Sequence, residues 1–221
     1  MNKYLLICLL AISFTACKNE SREQEKEQKE LAVHEEIAMA NGFKEFDSID
    51  QLNFTFNVKV NDSLRSSRRW EWNTETDEIS LTERDTTLTY TRTDSIAEEN
   101  KSIDQKFIND TYWLLFPFQL EWSNANFSEV KTAAAPISGK ELKMITVSYP
   151  SEGGYTPGDS YDIYFDDDHM IQEWVYKAAG GNRQMATTWE DYQNYKGVKI
   201  AKSHKSADGS FELYFSDISV E

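Results

Sequence analysis

The stretch Leu52-Asn-Phe-Thr-Phe-Asn-Val-Lys-Val60 decides the fold class. Leu52, Phe54, Phe56, Val58 and Val60 alternate with Asn53, Thr55, Asn57 and Lys59. A period of two over nine residues places all the apolar side chains on one face of a strand and all the polar ones on the other. Strand-like segments follow it. Trp70 and Trp72 flank Glu71, and Leu88 and Tyr90 sit in a run rich in Thr. Later candidates cover 142–149, 161–165, 171–176, 185–192, 198–204 and 211–218. Asp166-Asp167-Asp168-His169 and Ala207-Asp208-Gly209 supply short turns between neighbours. Successive strands with tight turns predict an antiparallel meander, because parallel pairing requires helical crossovers.

One segment departs from this pattern. Ile103, Phe107, Ile108, Tyr112 and Leu115 fall on one side of a helix. Pro117 ends it, since proline disfavours helical geometry in the residue before it. Apolar side chains continue through Trp113, Leu114, Phe116, Phe118 and Leu120. The spacing predicts an interior helix near 103–116. Phe107 and Tyr112 would anchor it to the sheet, while Trp113, Leu114, Phe116 and Phe118 would face an apolar ligand.

The start of the chain carries an address. Lys3 precedes a mostly apolar core, Tyr4 to Phe14, and Phe14-Thr15-Ala16-Cys17 follows. This three-part form is that of a secretory signal peptide, and its core is too short for a permanent spanning helix. The last four residues resemble a bacterial lipobox, in which Cys17 carries diacylglycerol after cleavage. An ordinary signal peptide with a chance cysteine, or an uncleaved anchor, is the alternative. The organisation read from this is a signal peptide over 1–16, a lipidated Cys17 with a charged tether over 17–41, and one domain over 42–221. The expected location is the outer membrane, lipid-anchored, on the periplasmic side or the cell surface. The tether carries Glu25/Lys29 and Lys26/Glu30 at helical spacing, and Leu31, Val33, Ile37 and Met39 make its later part apolar enough to dock. Asn41-Gly42 reads as its stop.

Composition narrows the function classes. Asp and Glu number 38 against 23 Lys and Arg, a formal net charge of −15. That surface argues against nucleic acid and against gripping anionic headgroups. The two cysteines, Cys8 and Cys17, lie in the signal core and at the lipid site. The domain therefore holds no thiol, disulfide or cysteine metal ligand. His34-Glu35-Glu36 lacks the second histidine of a zinc-protease helix, since position 38 is Ala. His169 and His204 read as surface side chains. The three aspartates of 166–168 read as a hairpin turn, not a calcium loop. No nucleophile elbow, phosphate-cradling loop or dinucleotide fingerprint is present. The sequence thus points away from an enzyme, and no cofactor or metal is expected.

Two patterns suggest relatives. Asp47-Ser48-Ile49, Asp62-Ser63-Leu64, Asp85-Thr86-Thr87 and Asp94-Ser95-Ile96 resemble the O-glycosylation sequon of exported Bacteroidota proteins. Ser48, Ser63, Thr86 and Ser95 would be the acceptors, although Asp-Ser and Asp-Thr are also common in turns and caps. The aromatic motifs Tyr112-Trp-Leu-Leu-Phe-Pro-Phe118, Tyr155-Thr-Pro-Gly-Asp-Ser-Tyr-Asp-Ile-Tyr-Phe-Asp166 and Trp174-Val-Tyr176, with 192–202, resemble a family of Bacteroidota lipoproteins (DUF6503). More distantly they look like the LolA/LolB lipoprotein-carrier fold. Asn41-Gly42 stands where a His-Gly pair is expected in such relatives. The resemblance implies a strongly curved antiparallel sheet, an incomplete β-barrel, with helices covering or plugging its concave face. It also implies an apolar cavity for a lipid, an acyl chain or a lipoprotein. The alternatives are an interaction or scaffold lipoprotein without a ligand and, less favoured, a glycan-active enzyme.

Overall fold

A computed structural model describes residues 30–155 and 157–221; Cys17 and the leader lie outside the described residues. Leu31–Glu221 form one compact unit. It is a curved antiparallel β structure with helices packed inside, as the sequence predicts.

β1 (Gln51–Val60) is the alternating stretch, and it lies in the middle of a seven-stranded sheet. On one side β1 pairs with β2 (Ser63–Asn73), followed by β3 (Glu78–Glu83) and β4 (Thr86–Thr91). Its other neighbour is β13 (Phe211–Val220), followed by β12 (Val198–Lys205) and β11 (Glu190–Tyr195). Leu52, Phe54 and Phe56 are buried on the inner face. Phe54 stands opposite Trp70 and Phe56 opposite Phe215. Register shifts at Asn53/Thr55 and Val58/Lys59 bend the strand, as bulges do.

The second sheet runs β10 (Gln184–Thr188), β9 (Ile171–Lys177), β8 (Ser160–Phe165) and β7 (Glu141–Ser148). Its far edge is shared by β5 (Asn126–Phe127) and β6 (Lys131–Ala134), both paired with β7. Trp189 alone separates β10 from β11, so one chain segment belongs to both sheets. The sequence reads 185–192 as a single strand. Here it turns at Trp189, whose N–H donates to the Gln172 carbonyl at 2.8 Å.

Among the described residues, four α-helices pack against the sheets. α1 (Val33–Ala40) buries Ile37 and Ala38, and Ile37 packs with Phe116 and Leu120. Gly42, at φ 92°, turns the chain into the short α2 (Phe43–Phe46). α3 (Lys101–Leu114) lays Ile103, Phe107 and Leu114 on the first sheet. Phe107 meets Trp70 and Trp72 edge-on, each at 5.3 Å between ring centroids. α3 stops at Leu115, and α4 (Phe116–Trp122) starts with Pro117 in its first turn, where the missing N–H costs nothing. α4 sends Phe118 into the first core and Phe116 and Leu120 into the second.

His204 differs from its sequence reading. It is fully buried, because it lies on the inward face of β12. Its Nδ1 lies 3.2 Å from the Thr188 carbonyl. Burial lowers its pKa to about 3.

Candidate ligand-binding cleft

α3 has two working faces. The one opposite Phe107 carries Gln105, Ile108, Asn109 and Tyr112, at i, i+3, i+4 and i+7. It forms one wall of a cleft of about 730 Å³. The second sheet supplies the other wall. Along β9, Trp174 and Tyr176 are two residues apart and therefore share a face. In register across the strand pair, Tyr161 stands opposite Tyr176 and Ile163 opposite Trp174. Met185 extends this wall onto β10. The rim is completed by 149–150, 152–155, Gln119, Ser123 and Asn124.

The aromatic side chains are fitted to one another. Ring centroids lie 5.4 Å apart for Tyr112–Tyr161, 5.0 Å for Tyr161–Trp174 and 4.5 Å for Trp113–Trp174. The Tyr112 hydroxyl donates to that of Tyr149 at 2.8 Å. Burial pushes the phenols of Tyr112, Tyr149 and Tyr161 up, so all three stay neutral. Tyr176 donates to Asp159 Oδ2 at 3.0 Å, and Asp159 Oδ1 accepts the Ala179 N–H at 2.8 Å. Tyr155 reaches over to α3 and donates to Asp104, which also accepts from Tyr90 at 2.9 Å. Below the cleft, Trp113 bridges the two cores, and the His204 ring sits 5.4 Å from its ring. The indole N–H groups of Trp174 and Trp189 have no acceptor among the described residues.

Of the side chains expected from the sequence to meet a ligand, Trp113 lines the cleft. Leu114, Phe116 and Phe118 are not among its lining and lie inside the packed interior. The break at Leu115 redirects the chain, and α4 turns Phe116 and Phe118 inward. The expected acceptors Ser48, Ser63, Thr86 and Ser95 are all exposed. Tyr149, Tyr161 and Tyr176 were not singled out from sequence as cleft residues. Their signal was the alternation of Trp174 with Tyr176, set beside the odd-numbered aromatic positions of 161–165.

The lining offers phenols, indoles and carboxamides, together with the carboxylates of Glu152 and Asp159 and the guanidinium of Arg183, and no histidine. Among the described residues, no three His, Cys, Asp or Glu side chains cluster as a metal site. No described helix is long and apolar enough to cross a membrane.

No protein-family model matches the chain, and no curated protein matches it. Solved structures do. A DUF1329 family protein from Desulfovibrio piger is 7 % identical with a TM-score of 0.46, covering 86 % of this chain and 93 % of its own. A LolA superfamily protein from Nitrosomonas europaea is 8 % identical with a TM-score of 0.47, covering 86 % and 94 %. The Mycobacterium tuberculosis lipoprotein LppX is 9 % identical with a TM-score of 0.30, covering 85 % and 94 %. At these scores the fold rests on the strand order itself, and the function on the cleft.

Proposed function

We propose that this domain binds a hydrophobic ligand, a lipid or the acyl chain of a lipid or lipoprotein, in the cleft between α3 and the second sheet. The observation that carries the reading is the cleft itself. Its volume of about 730 Å³ falls within the roughly 300–1,000 Å³ of small-molecule sites. Aromatic side chains from two facing elements line it, and none of them titrates near neutral pH.

An uncharged apolar fluorophore, N-phenyl-1-naphthylamine, tests it. The domain should raise the fluorophore's emission on binding, and Trp113→Ala should weaken uptake about tenfold. Trp113 is only partly buried, so the variant should cost less stability than the roughly 3–5 kcal/mol of a fully buried Trp→Ala. A wild-type domain that takes up no fluorophore would overturn the reading.

We propose further that Cys17 carries the lipid that holds the protein at the outer membrane, and that Ser48, Ser63, Thr86 and Ser95 carry glycan in the native host. The signal-peptide form and the exposure of the four hydroxyls support these assignments. Intact mass of protein from the native host, showing bare polypeptide at the four hydroxyls, would remove the second.

A further inference from the structure

The rim of the cleft bears a pattern of unspent hydrogen-bonding groups that speaks to the polar end of the ligand. Four carboxamides line it: Gln105 and Asn109 on α3, Gln119 on α4, and Asn124 just beyond. The exposed side chains of Gln105 and Asn124 make no hydrogen bond to another described residue. Asn109 gives its N–H to Asp110 Oδ1 at 2.9 Å, which leaves its carbonyl oxygen free. Gln119 accepts from Ser123 at 3.1 Å through Oε1, which leaves its NH₂ free. The rim therefore offers both donors and acceptors.

A hydroxyl is the group that matches such a set, because it donates and accepts at once. A phosphate or sulfate head accepts only, and an ammonium head at most donates. Charge gives the same answer. The lining holds two carboxylates, Glu152 and Asp159, against one guanidinium, Arg183. Asp159 is already held by Tyr176 and Ala179, and Arg183 lies 5.9 Å from the Tyr176 ring centroid. No cluster of cations waits for an anion, and the chain as a whole is at −15. The tyrosine rings add flat apolar faces beside the amides, on which the C–H face of a sugar ring can rest.

Building on the apolar-ligand reading above, we infer that the ligand is an amphiphile with an uncharged, hydroxyl-rich head of the glycolipid type. Its chain lies against Trp113, Tyr176 and Met185, and its head meets the carboxamides of Gln105, Asn109, Gln119 and Asn124.

Calorimetric titration with four compounds tests this: dodecyl maltoside, dodecyl phosphate and dodecyltrimethylammonium, each below its micelle concentration, and free maltose. The maltoside should bind at least tenfold more tightly than either charged compound and at least tenfold more tightly than maltose. The double variant Gln105→Ala/Asn124→Ala should lower maltoside affinity about tenfold, several times more than it lowers N-phenyl-1-naphthylamine uptake; equal losses for the two would overturn the role given to the head. Among the described residues neither side chain has another partner to lose. Equal or tighter binding of the phosphate would overturn the inference, as would equal or tighter binding of the ammonium compound. If fluorophore uptake persists in that event, the apolar-ligand reading stands alone. Maltose binding as tightly as the maltoside would overturn the inference, and failure of every dodecyl compound and of the fluorophore would overturn both.

Discussion

Arg68 and Asp110 form a two-pronged ion pair across the interior, with Nε and Nη2 donating to the two carboxylate oxygens at 2.7 and 2.6 Å. Trp70 donates to the same carboxylate at 2.8 Å. Asp110 is fully buried, and burial pushes its carboxyl up against the downward pull of Arg68. Asp110→Ala should therefore cost about 3–5 kcal/mol in urea unfolding, because it strands the guanidinium and the indole N–H. Asp110→Leu/Arg68→Met should recover much of that loss, since an apolar pair of similar volume avoids the desolvation. A single variant losing under about 1 kcal/mol would count against this role.

His204 should make the domain acid-sensitive. Its folded pKa lies near 3, below the ordinary value of 6.5. The unfolded chain binds the proton first, so stability from this site is complete above about pH 6.5 and falls as pH drops toward 3. The loss at pH 5 amounts to about 2 kcal/mol, at 1.36 kcal/mol per unit. His204→Phe should flatten the fall in urea midpoint between pH 8 and pH 5; an unchanged slope would refute the assignment.

Gly42 and Gly209 separate two reasons for glycine. Both have positive φ, 92° and 69°. A Cβ on Gly42 would stand 2.3 Å from the Gly197 carbonyl oxygen, whereas one on Gly209 meets nothing within 4 Å. Gly209→Ala should cost only the left-handed backbone penalty, about 1–2 kcal/mol. Gly42→Ala should cost clearly more, on the order of 3 kcal/mol or above, as a clash with backbone joins that penalty. Equal melting temperatures for the two variants would contradict this.

Cys17→Ala should yield a precursor or soluble form in place of a membrane-bound one. Detergent partitioning and mobility on a gel read both outcomes. Normal cleavage with unchanged partitioning would remove Cys17 as the lipid site.

Period-two segments were the legible part of the fold. β1, β7, β8, β9, β12 and β13 each match a stretch read from alternation or from β-branched and aromatic clustering. β3 was missed because Glu78 and Glu83 at its ends mask the pair Ile79 and Leu81. α4 is hidden in the sequence because Pro117 reads as a stop, while proline is equally a helix starter. His204 reads as a surface side chain by residue type, whereas its strand position buries it. The cleft was only partly legible. Helical periodicity gives the faces of α3, but which face meets the second sheet depends on tertiary packing. Tyr112 illustrates the limit, since it both touches the sheet at Tyr161 and lines the cleft.

The pairing of β1 with β13 joins the first strand of the domain to the last, with Leu52 opposite Val220. The middle seam of the seven-stranded sheet is therefore the pairing of longest sequence separation, and such contacts form slowly because the loop between them must close first. A nascent chain lacking 211–220 cannot make that seam, whatever else it has formed. Completion of the domain is thereby tied to arrival of 211–220, and a chain without them keeps the inner edge of β1 unpaired on that side.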